Sequence, residues 1–258
     1  MTQVKIIFFD IDGTLIDIGA EQMSQKTAEA LRRLKERGIL LCIATGRPRM
    51  TLPHFEGITF DAYLTFNGSY CFDRDGIIFS NPIPHGDAET ILRNAARIGR
   101  PISIATADRI ASNGRDTDLD DYYTLAHLKL EVSEDFDTVA REKIYQMMVG
   151  CREEEYDAIM KDAPNARITA WWHRAADIIP ADGGKGVAVQ KVLEHYHLDR
   201  SQALAFGDGN NDIEMLRAVG TGIAMGNGSA QVKAAADGVC GCASEDGIYH
   251  YCIEHSLI

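Results

Sequence analysis

The stretch Ile6-Ile7-Phe8-Phe9-Asp10-Ile11-Asp12-Gly13-Thr14 sets two carboxylates at the abrupt end of an apolar run. Residues 4–9 are β-branched or aromatic on both alternating faces apart from Lys5, the pattern of a strand covered by helices on both sides of a parallel sheet. Ligands of such sheets gather beyond the carboxyl ends of the strands, which is where Asp10 stands. Asp12 follows at a spacing of two, which in extended chain returns to the same face, and Gly13 lets the chain turn. Two readings fit this segment alone. It is a polar Asp-Gly turn closing a strand, or a carboxylate that takes up a phosphoryl group beside a second acid that moves protons.

The other strand ends bear on that choice. Downstream, Ser24 is placed to cap a helix with Thr27, Ala28, Leu31 and Leu34 on one face, and Gly38 to stop it. A second apolar run, residues 39–44, ends at Thr45-Gly46-Arg47-Pro48, which offers a hydroxyl, a glycine amide and a guanidinium. A third, residues 62–66, closes on Asn67-Gly68-Ser69, and residues 70–72 and 77–79 then form a predicted hairpin through Asp73-Arg74-Asp75-Gly76. Much later, Lys185 opens a helix bearing Val189, Val192, Leu193 and Tyr196. Residues 203–206 run into Gly207-Asp208-Gly209-Asn210-Asn211-Asp212, a glycine-rich turn entering a helix and so a candidate anion site. Residues 221–225 are the last expected main strand.

Between the two halves lies an insertion. Asn81-Pro82-Ile83-Pro84 reads as a stiff linker with a counterpart at Ile179-Pro180-Ala181-Asp182-Gly183-Gly184. The expected organisation is a core of residues 1–81 and 182–258 interrupted by a smaller α/β domain at 82–181. Within the insertion we expect a helix carrying Ile91, Leu92, Ala95 and Ile98, strands near 102–105 and 109–112, and a mixed helix at 120–127. A strand at 143–149, a helix at 153–161 and a strand at 167–173 complete it. Trp171, Trp172 and His173 fall in that last strand. Core packing is the default for such a Trp, and the competing reading lets Trp172 or His173 contact a substrate. Arg47, Arg109 and Asn113 are further substrate candidates, whereas His85, His127, His195 and His197 join no constellation.

Composition sets the outer bounds. The chain of 258 residues, 45% hydrophobic and 25% charged, has room for one large domain or two modest ones. A formal charge of −12 disfavours nucleic acid or an anionic membrane surface as partner, so any phosphate must be captured locally. Asp10 and Asp12 interrupt the early apolar run, no segment approaches a membrane span, and we expect a soluble cytoplasmic protein. The six cysteines contain no C-x-x-C pair and are expected as reduced thiols; Cys240, Cys242 and Cys252 with His250 and His255 match no zinc spacing.

Four segments, F-F-D-I-D-G-T, I-A-T-G-R-P, G-G-K-G and G-D-G-N-N-D-I-E-M-L, resemble in order and spacing the four motifs of the haloacid dehalogenase-like hydrolase superfamily, specifically its Cof-type phosphatases. The resemblance covers roughly residues 1–80 and 182–258. It implies a doubly wound, Rossmann-like parallel sheet with an inserted α/β cap. It also implies a magnesium ion held by Asp10, the main-chain carbonyl of Asp12 and Asp208, with Asp212 in or near that shell. Thr45, the Gly46 amide, Asn211 and Lys185 would engage the transferring phosphoryl group. Electrostatics agrees that cations are needed: a carboxylate about 4 Å from one phosphate charge is opposed by about 4 kcal/mol at an effective dielectric near 20. The implied reaction is hydrolysis of small phosphate esters, sugar phosphates first, in two steps. Asp10 takes the phosphoryl group while Asp12 protonates the leaving oxygen, then Asp12 activates water. A sugar-phosphate mutase and a phospho-aspartate switch without turnover remain alternatives. The expected partner is a small phosphorylated molecule, and the expected state a monomer or weak homo-oligomer.

Overall fold

Four consecutive residues without solvent exposure, Ile6–Phe9, form strand β1. The structure is a computed structural model that describes residues 3–125 and 128–258, the Trp171 side chain excepted. His127, the end of the helix expected at 120–127, and the Trp171 ring therefore lie outside the described residues. After β1, helix α1 (Gln25–Glu36) starts where the Ser24 hydroxyl accepts the Thr27 N–H at 3.0 Å, and it buries Thr27, Ala30, Leu31 and Leu34, one stripe of a 3.6-residue period. Strand β2 (Leu40–Ala44) runs parallel to β1 with Ile43 opposite Phe9, and β3 (Ala62–Thr65) runs parallel to β2 with Leu64 opposite Ala44. Strand β4 (Tyr70–Asp73) turns back antiparallel to β3, and β5 (Ile77–Ser80) follows it through a turn in which Asp73 Oδ1 accepts the Asp75 and Gly76 N–H groups.

The inserted region is an open antiparallel sheet with helices on its apolar face. It contains α2 (His85–Arg97), β6 (Ile102–Ala105), β7 (Ile110–Ser112), α3 (Thr117–Leu125), α4 (Phe136–Val139), β8 (Gln146–Gly150), α5 (Tyr156–Met160), β9 (Ala166–Trp172) and β10 (Ala175–Pro180). The strand order is β7-β6-β8-β10-β9. Ile102, Ile104, Met147, Val149, Ala176 and Ile178 cluster with Ala88, Ile91 and Ala95 of α2 and Ile159 of α5. The alternate positions are mixed: polar Ser103 and Asp177 both pair with Met148 across the sheet, and the Tyr122 hydroxyl of α3 donates to Asp177 Oδ1 at 2.7 Å. Strand β10 corrects the expected linker at 179–184. Ile179 and Pro180 pair with Arg167 and Ala166, and Pro180 fits because it is the last strand residue, where a missing N–H costs little.

The first sheet then resumes with α6 (Lys185–His195), β11 (Ala203–Gly207), α7 (Ile213–Ala218), β12 (Thr221–Ala224), α8 (Ala230–Ala235), β13 (Gly238–Val239) and α9 (Gly247–Glu254). Its strand order is β13-β12-β11-β1-β2-β3-β4-β5, parallel from β13 to β3. The chain winds from β1 outward through β2 and β3, then returns to the other side of β1, so the switch point lies between β1 and β11. Strand β13 follows the last strand expected; at two residues it is too short to leave a periodic signal. Val189, Val192 and Leu193 of α6 pack with Ile6, Phe8 and Cys42 in a buried core. The chain divides into two compact units, one comprising residues up to Gly46, Pro53–Phe79 and Lys185–Ile258, the other Arg47–Leu52 and Ser80–Gly184. Among the described residues no helix is long and apolar enough to cross a membrane.

Candidate active site

Asp10 leaves the carboxyl end of β1 and Asp208 that of β11, adjacent strands at the switch point of the sheet. Between them stands Lys185, the first residue of α6 and only 1% exposed. Its Nζ donates to Asp10 Oδ1 at 2.7 Å and to Asp212 Oδ1 at 2.5 Å. The second oxygen of Asp212 accepts the backbone N–H groups of Asp208, at 3.0 Å, and Gly209, at 2.9 Å, so this fully buried carboxylate ties the lysine to the Asp208 loop. One oxygen each from Asp10, Asp208 and Asp212 lie within 4.8 Å of one another. Burial pushes the Asp10 carboxyl well up; Lys185 opposes this, and Asp212, Asp208 and Asp12 reinforce it. Burial and then Asp212 push Asp208 up to about 7 against the Thr14 hydrogen bond. Burial would lower the Lys185 ammonium, but the attraction of Asp10 and Asp212 wins and holds it above the ordinary lysine value. Three acids therefore gather beside one ammonium that bonds two of them, and this donor set of carboxylate oxygens fits a hard divalent cation.

The extended geometry expected to return Asp12 to the face of Asp10 ends at Phe9. Residues 11–16 close into a tight loop, with the Gly13 N–H donating to the Ile16 carbonyl at 2.7 Å and the Ile16 N–H to the Ile11 carbonyl at 2.9 Å. The Asp12 side chain stands exposed on this loop, outside the three-acid group, yet its charge raises both Asp10 and Asp208. Gly13 has φ +82°, and a Cβ there would sit 2.2 Å from Asp208 Oδ2, so glycine alone permits the loop to lie against that acid. Two residues that the sequence reading passed over complete the contact. Thr14 Oγ1 donates to Asp208 Oδ1 at 3.0 Å, and Asn227, beyond β12, donates through Nδ2 to the Gly13 carbonyl at 2.7 Å while accepting the Ala243 N–H at 2.9 Å.

The remaining phosphate candidates meet through a residue whose sequence suggested only a turn. Thr45, 1% exposed, follows β2; its N–H donates to the Leu64 carbonyl at 2.8 Å, and its carbonyl accepts the Asn67 N–H at 3.0 Å. Asn67 Oδ1 accepts Asn211 Nδ2 at 3.0 Å. A polar residue at the end of a third parallel strand, in line with Asp10 and Thr45, was the available signal for Asn67. For Asn227 the equivalent signal was the polar Gly-Asn-Gly that follows β12.

Arg47, Trp172 and His173 belong to the other unit. Arg47 donates to the Thr51 carbonyl at 3.4 Å, and Trp172 ends β9 half-buried with the Arg174 guanidinium 5.0 Å and the His173 ring 5.6 Å from its own ring. Asn113 accepts the Ile102 N–H at 2.8 Å and Arg109 pairs at the surface with Asp135 and Glu142, both contacts that serve the local fold. Cys240 touches Met225 sulfur to sulfur at 3.5 Å, and among the described residues no group of three potential ligands includes a cysteine or histidine.

Comparison with known proteins agrees with this geometry. Residues 7–252 match the family model described as haloacid dehalogenase-like hydrolase. YkrA of Bacillus subtilis strain 168, itself assigned only provisionally as a phosphatase, is 31% identical over 98% of both chains. The HMP-PP phosphatase of Cronobacter sakazakii is 26% identical over 94% of this chain and 92% of its own. Among solved structures, the haloacid dehalogenase subclass IIB sugar phosphatase BT4131 superposes with a TM-score of 0.91 at 29% identity, covering 99% of this chain and all, 100%, of its own. The strand-end acids, the buried lysine and these matches together show that the chain belongs to the haloacid dehalogenase-like hydrolase family and is a hydrolase of phosphate esters.

Proposed function

We propose that the chain is a magnesium-dependent phosphomonoesterase that works through an aspartyl phosphate on Asp10, with sugar phosphates as its first substrate class. The observation that carries this reading is the imbalance at the switch point: buried Asp10 and Asp212 and half-buried Asp208 gather beside a single buried ammonium, which bonds Asp10 and Asp212. A divalent cation would remove that imbalance and lower the raised acids. Asp10 and Asp208 would hold it, with the Asp12 main-chain carbonyl, while Asp212 anchors Lys185 and the Asp208 loop. When bound, magnesium neutralises charge on the phosphate oxygens and holds Asp10 ionised.

The protein's own groups do the rest. Lys185 fixes one oxygen of Asp10, leaving the other to attack phosphorus, and it screens the approach of two negative groups. Thr45, the Gly46 amide and Asn211 donate to the transferring oxygens, the positioning and charge stabilisation on which phosphoryl transfer depends. Asp12, exposed on its loop, hands a proton to the leaving oxygen and then takes one from water. The likeness to a subclass IIB sugar phosphatase supports the substrate class. A phosphate-release screen over sugar phosphates, nucleotides and pyridoxal phosphate tests the reading. Release from sugar phosphates that stops with chelator and with Asp10→Asn is expected; release indifferent to chelator overturns it.

A further inference from the structure

The segment that follows β3 holds three consecutive left-handed residues, Phe66 at φ +53°, Asn67 at φ +52° and Gly68 at φ +90°. Two of the three carry side chains, and Phe66 and Asn67 are 0% and 2% exposed. A left-handed conformation costs most residues with a side chain roughly 1–2 kcal/mol, Asn less than the others, so at Phe66 above all the surroundings must enforce it. They do so with the Asn67 N–H on the Thr45 carbonyl, the Ser69 N–H on the Phe66 carbonyl at 3.1 Å, and the Thr65 hydroxyl on the Tyr70 carbonyl at 3.0 Å. The Phe66 ring packs edge-on to Tyr70.

What the strained turn achieves is the position of one amide. Asn67 binds the Thr45 carbonyl through its backbone. A Cβ built on Gly46 would lie 3.1 Å from Asn67 Nδ2 and 3.2 Å from Oδ1, so the side chain packs against the bare Gly46 backbone. Its Oδ1 accepts one N–H of the Asn211 amide, which leaves the second N–H of that amide for an anion. Thr45, Gly46 and Asn211 arrive from two distant parts of the chain, and Asn67 touches all three.

We infer that Asn67 is the positioning residue of the phosphoryl-binding donors, held by the left-handed turn at 66–68 so that the Asn211 amide and the Thr45-Gly46 backbone converge on one set of oxygens. The inference deepens the proposed function and rests on it. Misplacing donors by a fraction of an ångström matters more to a transition state than to a ground state. Loss of Asn67 should therefore act on affinity for a five-coordinate mimic and on kcat more than on KM.

Asn67→Gly is the informative variant, because glycine accepts φ +52° without strain and only the amide is lost. Calorimetric binding of orthovanadate in magnesium should weaken by roughly tenfold to a hundredfold, with a melting temperature close to that of the unchanged protein. Asn211→Ala should weaken it too, and the double variant should be no weaker than Asn211→Ala alone, since one residue acts through the other. Additive losses, vanadate affinity within about twofold of the unchanged protein, or an Asn67→Gly protein that fails to fold would each overturn the inference and leave Asn67 a purely structural residue. Failure of the unchanged protein to bind vanadate would instead remove the proposed function, and the inference with it.

Discussion

Two buried aspartates show opposite electrostatics in the two units. In the inserted unit Asp118 is ringed by guanidinium groups: Arg152 at 2.6 Å, Arg174 at 2.6 Å and Arg100 at 3.2 Å, with Arg100 also paired to Glu155 at 2.8 Å and to Asp116 at 3.2 Å. Hydrogen bonds from Arg152, opposed by burial and then joined by Arg174, lower its carboxyl to about 2. At the switch point of the other unit, burial raises Asp10 and Asp208, and one ammonium answers three acids. The first cluster is complete by itself and holds a fold together. The second is electrostatically unfinished, a cost in stability that the proposed cation would remove, and such incompleteness is a mark of sites for chemistry.

The largest expected effect falls on the unfinished cluster. Asp10→Asn keeps the size of the side chain and removes the proposed nucleophile, so phosphate release in magnesium should fall by about a thousandfold or more while circular dichroism stays unchanged. Activity near that of the unchanged protein would break the assignment. In the complete cluster, Asp118→Asn leaves arginines without their shared partner and should lower stability by about 2 kcal/mol in urea unfolding. The sign of its pH dependence follows from a lowered carboxyl. The contribution is present in full above the ordinary aspartate value near 4 and is lost as pH falls through about 2, so the two proteins should converge in stability only in strong acid.

Asp208→Asn should do the reverse. A carboxyl raised to about 7 destabilises the folded protein once ionised, a cost absent below the ordinary value near 4 and complete above 7. With chelator at pH 8 the variant should therefore melt roughly 2–4 °C above the unchanged protein, and magnesium should raise the melting temperature of the unchanged protein only. Equal melting in chelator, or a variant that melts lower, would mean that the three acids are balanced without a cation. A smaller effect is expected at Thr14→Val, which removes the hydroxyl donor to Asp208 and should weaken magnesium affinity about tenfold by calorimetry.

How far these clusters could be read in the sequence depends on what each leaves there. Asp10 and Asp208 stand where apolar runs end and Lys185 where a helix opens, and the resemblance to the family's four motifs is what grouped them with Asp212. The Asp118 cluster left no such trace, because its arginines lie 18, 34 and 56 residues away along the chain and join only through antiparallel register. Strand β10 was hidden by Pro180, which looks like a linker but sits where the ladder ends. The Asn67 turn reads as an ordinary Asn-Gly loop; only the burial and the left-handed Phe66 before it reveal that the backbone is held under strain.

The central claim, that Asp10 carries the phosphoryl group and Asp12 moves the protons, is tested most directly on Asp12→Ala. An activated aryl phosphate leaves as a stable anion and needs little protonation, so the variant should still load Asp10. Hydrolysis of the aspartyl phosphate, however, loses a general base worth about 100- to 10,000-fold. Intact-mass measurement after an acid quench should then find one added phosphoryl group, absent when Asp10 is also changed to Asn. Slow but steady turnover with no adduct at any time would contradict the account.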